Sequence, residues 1–149
     1  MIIDHVRERS ESRIHRPLLG YEKKDGLFRN LLESVNEGAA AFDPQEKLMY
    51  ANPAFLRLTG YTFEEAIGKK SAFFFSKNDR KNIESESKKR LQGISSHYEA
   101  TLITKSKKEI PVRISGSPLT LGGTIGIITD LSETKRLNEY ERRLAAILE

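Results

Sequence analysis

The sequence predicts an α+β fold: a five-stranded antiparallel sheet with short helices on one face, followed by a coiled-coil-like helix at the carboxyl end. Three observations carry that expectation. Two short strand candidates come first, a run of short helix signals follows, and three longer strand candidates close the body of the chain. In the first two of those longer strands apolar and polar residues alternate with period two, which puts one side of each strand on a buried face, and the third is rich in isoleucine. Beyond them the apolar residues change to three- and four-residue spacing, the period of a helix.

Residues 1–26 carry clustered charges together with Pro17, Gly20 and Gly26, and their apolar residues are too sparse to build a core face. They read as a partly helical flanking segment. From Leu27 to Val35, Leu27, Phe28, Leu31, Leu32 and Val35 mark an amphipathic helix that ends at Gly38. Ala39–Phe42 and Lys47–Ala51 then form a hairpin around Asp43-Pro44-Gln45-Glu46, where proline presets a turn and aspartate bonds nearby amides. Asn52-Pro53 is a helix start, because the Asn oxygen accepts an orphan amide hydrogen and proline at the first helical position loses nothing by lacking one. That helix runs through Phe55 and Leu58 to Gly60.

Thr62-Phe63-Glu64-Glu65 has the spacing of a capping box and opens a second short helix that stops at Gly68. An apolar turn follows at Phe73–Phe75. Asn78–Leu91 is so charged that only a narrow stripe, chiefly Ile83 and Leu91, is expected to face the core. The three strands are His97–Thr104, Ile110–Ser117 and Thr124–Leu131, joined by Lys105–Lys108 and by Pro118–Gly123. The domain is thus expected over 27–131 and an exit helix or linker over 132–149. On that helix Leu137, Tyr140, Leu144 and Ile147 follow a 3-4-3 spacing. The same stripe serves pairing with a second chain or folding back on the domain, and a homodimer is the preferred expectation.

A chain of 149 residues suits one domain with flanks, and 38% hydrophobic with 31% charged residues fits a soluble protein. The longest apolar runs, such as Ala72–Phe75, are too short to span a bilayer, and Met1–Arg16 has no central hydrophobic block, so no membrane association is expected and the compartment is read as cytoplasmic. The absence of cysteine removes disulfides, thiolate metal sites and cysteine nucleophiles. Of the net charge of +4, much lies between Lys69 and Arg113, with twelve Lys or Arg against five Asp or Glu. No groove-reading motif accompanies it, so it is read as a solvated surface without a nucleic-acid partner.

Tyr50-Ala51-Asn52-Pro53-Ala54-Phe55 followed by Thr59-Gly60-Tyr61-Thr62-Phe63-Glu64-Glu65-Ala66-Ile67-Gly68-Lys69 resembles the first half of a PAS domain. His97-Tyr98-Glu99-Ala100, Glu109-Ile110-Pro111-Val112 and Gly126-Ile127-Ile128-Thr129-Asp130-Leu131-Ser132-Glu133 are similar to its second half, giving coverage of about 27–135. The hairpin Lys105-Ser106-Lys107-Lys108 lacks the Asp-Gly usual there, and Ser76-Lys77-Asn78-Asp79 lacks the customary proline; both departures are in loops. Leu27–Glu33 and Arg143–Glu149 share apolar positions and a final Glu. The end could therefore lead into another such domain, or the echo could be chance between amphipathic helices.

The resemblance implies a regulatory sensor, cytoplasmic and dimeric, that relays a change through its last helix to an effector such as a histidine kinase or another PAS domain. The alternative is a PAS-type dimerisation or interaction domain without a ligand. Without cysteine, a cysteinyl-flavin adduct and a thioester-linked chromophore are excluded. Haem is disfavoured, since Asn78–Leu91 has no histidine, His97 is expected to point outward, and His5 and His15 lie outside the core. No enzyme activity is expected: Glu64-Glu65 diverge on a helix, no phosphate loop is present, and Ser95-Ser96-His97 form no triad by adjacency. The cofactor, if any, stays open. A pocket is expected among Phe42, Met49, Phe55, Leu58, Phe73, Phe75, Tyr98, Leu102 and Ile127, competing with a fully packed core, and Asp130 with Ser132 is expected to form the relay joint.

Overall fold

A computed structural model of the chain describes residues 30, 31, 33, 36–120 and 122–148. Asn30, Leu31 and Glu33 are helical; the rest of the helix expected over 27–35, and the flanking segment 1–26, lie outside the described residues. The body is one antiparallel sheet of β1 (Gly38–Phe42), β2 (Leu48–Ala51), β3 (Ser96–Ile103), β4 (Glu109–Pro118) and β5 (Thr124–Asp130), in the spatial order β2-β1-β5-β4-β3. The last strand therefore sits between the first and the fourth. The chain from β2 to β3 has to cross the sheet, and the short helices make that crossing.

Local chemistry sets the turns. Asp43 Oδ1 accepts hydrogen bonds from the amides of Gln45 at 2.8 Å and Lys47 at 3.0 Å, closing the β1–β2 hairpin. Helix α1 (Pro53–Thr59) opens on Asn52, has proline in its first turn and ends at Gly60 in the left-handed region, φ 79°. Helix α2 (Phe63–Ala66) has the full capping box: the Glu65 amide donates to Thr62 Oγ1 at 3.2 Å and the Thr62 amide to Glu65 Oε1 at 3.1 Å. A 3-10 turn at Ser71–Phe74 precedes helix α3 (Arg80–Leu91).

The core lies between these helices and the inner face of the sheet. Phe55 and Phe74 meet edge to face with ring centres 5.3 Å apart, and Ile83, Leu102, Val112, Ile114 and Ile128 close around them. A second apolar cluster occupies the outer face, where Ala39, Ala41 and Tyr50 are buried and Met49, Ile125 and Ile127 pack against them. Both faces of β1 are thus covered, which explains why Gly38–Phe42 reads as an uninterrupted apolar run.

Helix α3 departs from expectation. Leu91 is 39% exposed, while Ile83, Ser87 and Arg90 form the buried face. The spacing of four and then three residues is that of one helical side, so the inward stripe is more polar than its aliphatic residues suggest. Helix α4 (Ser132–Leu148) leaves the sheet from the end of β5, and none of its residues is buried.

Candidate functional site

Between α3, the 3-10 turn and the inner face of the sheet lies a cavity of about 20 Å³, room for a single water. Phe42, Phe55, Phe74, Phe75, Ile83, Ile114 and Ile128 supply its apolar wall; Ser71, Ser87, Arg90 and Tyr98 supply the polar side, and Gly126 part of the floor. The hydroxyls of Ser71 and Ser87 stand 3.4 Å apart.

Arg90 is the unusual member. Its side chain crosses the inner face with only 3% of the residue exposed. Nη2 donates to the Tyr98 hydroxyl at 2.6 Å, and the guanidinium carbon stands 5.6 Å from the centre of that ring. Nε has no hydrogen-bond partner among the described residues. Backbone makes room for it: a Cβ on Gly116 would overlap Nε, Cδ and Cζ of Arg90. Gly116 faces Gly126 on β5 and Ser96 on β3, and Gly126 faces Ala40 on β1, so four small residues in register form a furrow across the sheet.

An arginine cannot shed its charge, and burying one without an anion costs several kcal/mol, of which a ring contact offsets about 0.5–2 kcal/mol. Among the described residues no carboxylate lies within ion-pair distance of Arg90. Glu86, one turn earlier, is bonded to Lys89 at 3.0 Å, and that bond, then Ser96, hold its carboxyl below the usual range. Burial pushes the Tyr98 phenol above its usual value, with Arg90 opposing, so Tyr98 keeps its proton.

Of the residues expected to line a pocket, Phe42, Phe55, Phe75 and Tyr98 do so. Leu102 is fully buried in the same core but behind the lining. Leu58 is half-buried and borders a shallow groove with Arg57, Thr129 and Asp130. Met49 and Ile127 correct the expectation: both pack on the outer face, Ile127 because strand alternation sends it opposite to Ile128, and Met49 because it is the extra residue where the β1–β2 register shifts between the Ala41–Tyr50 and Phe42–Leu48 pairs. Phe73 corrects it too, being 39% exposed and held at the surface by Tyr61, 5.6 Å between ring centres, and by the Lys69 ammonium. The residues missed were Ser71, Phe74, Ile83, Ser87, Arg90, Ile114, Gly126 and Ile128. Glycines inside β4 and β5 were the available signal, since a glycine within a strand often marks a close approach.

No histidine lines the cavity; His97 is exposed on β3. The lining thus contains no imidazole. Among the described residues no cluster of three or more metal-ligating side chains forms, and no helix is long and apolar enough to cross a membrane.

The exit from the sheet is a compact joint. Asp130 ends β5, and its Oδ1 accepts from the Ser132 amide at 2.8 Å. Between them Leu131 is buried, and its amide donates to the Pro111 carbonyl at 2.8 Å. Its own carbonyl accepts from Lys135 at 2.9 Å and so belongs to the first turn of α4. Along that helix Leu137, Tyr140, Leu144 and Ile147 form an exposed stripe, with Ile147 78% exposed.

The fold is shared with sensory proteins. A domain of a sensory box sensor histidine kinase/response regulator from Geobacter sulfurreducens is similar at a TM-score of 0.65 and 23% identity, over 72% of this chain and 94% of that one. A sensory box histidine kinase/response regulator from Burkholderia thailandensis is similar at 0.60 and 20% identity, over 81% and 96%. An RNA-binding light-oxygen-voltage receptor is similar at 0.66 and 23% identity over 81% of this chain, which spans 37% of that receptor. Residues 36–133 match the sequence profile of the PAS domain. With the sheet order, the helical crossing and the exit strand described above, that match establishes that the chain belongs to the PAS domain family.

Proposed function

We propose that this PAS domain is a regulatory module without catalysis of its own, which relays a change in its sheet through α4 to an effector such as a histidine kinase. The observation that carries the reading is the joint at Asp130–Ser132: the last strand passes directly into a helix whose apolar stripe is exposed. Such a stripe is completed by pairing with the same helix of a second chain, in a cytoplasmic homodimer. A ligand or partner that favours one packing of the sheet would then shift the angle or register of the pair. Similar domains occur in sensor histidine kinases from two bacteria, which supports a kinase as the effector.

A second reading has its own support. A cavity of about 20 Å³ leaves the interior nearly filled, as expected of a PAS-type dimerisation or interaction domain that takes no ligand. The two readings part in a fusion of this chain to a histidine kinase core. Insertion of one to seven residues after Leu148 should make kinase output rise and fall with the heptad period, and Asp130→Ala should flatten that response with the fold intact. Output indifferent to the insertions would remove the relay and leave the interaction domain.

A further inference from the structure

Arg90 is a permanent cation enclosed among aromatic and aliphatic side chains, with one neutral hydrogen-bond partner and a free Nε. Glu86 on the same helix is bonded to Lys89 and feels the Arg90 charge only through space, outside ion-pair distance. The groups around it are arranged as donors. Tyr98 accepts a hydrogen from Nη2, which leaves its own hydroxyl proton to donate. In the Ser71–Ser87 contact only one hydroxyl proton lies between the two oxygens, so the other proton is available. The floor beneath is the furrow of Ala40, Gly126, Gly116 and Ser96, across which the Arg90 side chain lies at Gly116.

From this the geometry points to a binding site for a small organic monoanion, a short-chain carboxylate whose charged end lies against Arg90, Tyr98 and Ser87 and whose apolar end lies against Phe55 and Phe74. The inference rests on the sensor reading above and names its ligand class. One cation balances one negative charge, and the aromatic wall disfavours a dianion such as phosphate. A carboxylate larger than a water requires the cavity to open. On this proposal the wall that moves is α3, whose buried face holds a single aliphatic side chain, Ile83, beside Ser87 and Arg90. A carboxylate would favour the state in which α3 has moved outward, and the shift would be felt along β4 and β5 at the glycines beneath it.

The test uses the whole chain and sodium butyrate, with butyramide as the neutral isostere and sodium chloride as the inorganic control. Amide resonances of Gly116 and Gly126 should shift saturably with butyrate, at least tenfold more weakly with butyramide, and not with chloride at equal concentration. Arg90→Met should abolish the butyrate response while circular dichroism shows a folded chain. If that variant does not fold, Ser87→Ala should weaken butyrate several-fold. No saturable shift, equal response to butyrate and butyramide, an equal effect of chloride, or undiminished binding in the substituted chain would each overturn the site. Binding at these glycines with kinase output unaltered in the fusion would leave the site standing and remove the relay.

Discussion

Asn52 Oδ1 accepts two amide hydrogens, from Phe55 at 2.9 Å and from Ala39 at 2.8 Å. One bond caps α1; the other ties that helix to β1, while Nδ2 donates to the Glu37 carbonyl at 3.0 Å. A residue that looks like an ordinary helix cap therefore also fixes where the helix sits on the sheet.

Asn52→Ala should destabilise the fold by about 2–3 kcal/mol, combining a lost cap with a buried amide left without an acceptor. Urea denaturation checks it through the midpoint at unchanged slope. A loss confined to a few tenths of a kcal/mol would show that water replaces the side chain at Ala39.

Gly116→Ala should cost about 1–3 kcal/mol, since the added methyl group meets the Arg90 guanidinium. In an Arg90→Ala background the same substitution should cost much less. The four denaturation curves of this cycle measure the coupling, and an undiminished cost would place the strain elsewhere.

Glu65 gives the stability curve an acid limb. Its bond to Lys105, followed by the Thr62 amide, holds the carboxyl below the usual 4.5. A folded value below the unfolded one means that the contribution is complete above the unfolded value and is lost as pH falls through the folded one. Glu65→Gln should therefore flatten the fall of Tm as pH drops below about 4.5. An identical slope in the variant would refute the assignment.

Leu137→Glu with Leu144→Glu should separate the proposed dimer without unfolding the domain, because neither residue is buried in the single chain. With about 1.5–3 kcal/mol lost per leucine, the dissociation constant should rise at least about a hundredfold. Sedimentation mass reports it. A wild-type chain that sediments as a monomer at high concentration would remove the pairing from the proposal.

What was legible in the sequence was what neighbours along the chain decide. The Thr62–Glu65 box, the Asn52-Pro53 start and the Asp43 turn each depend on residues within four positions, and strand alternation placed Val112 and Ile114 inward. Contacts made through the sheet were not legible. The second bond of Asn52 needs Ala39 on another element, and the burial of Arg90 needs Gly116 on a strand that comes later in the chain. Ile127 and Met49 were misplaced for the same reason: a run that is apolar throughout does not say which side faces the helices.

Leu131 is small in area but large in leverage. Its side chain is clamped in the domain, while Ile147 lies sixteen residues further along the helical direction, a span of about 24 Å. At that length a tilt of about 10° at the clamp swings the far end by about 4 Å, close to the width of a methyl group. A displacement too small to disturb the core thus becomes, at the tip of the arm, large enough to exchange one side-chain neighbour for another.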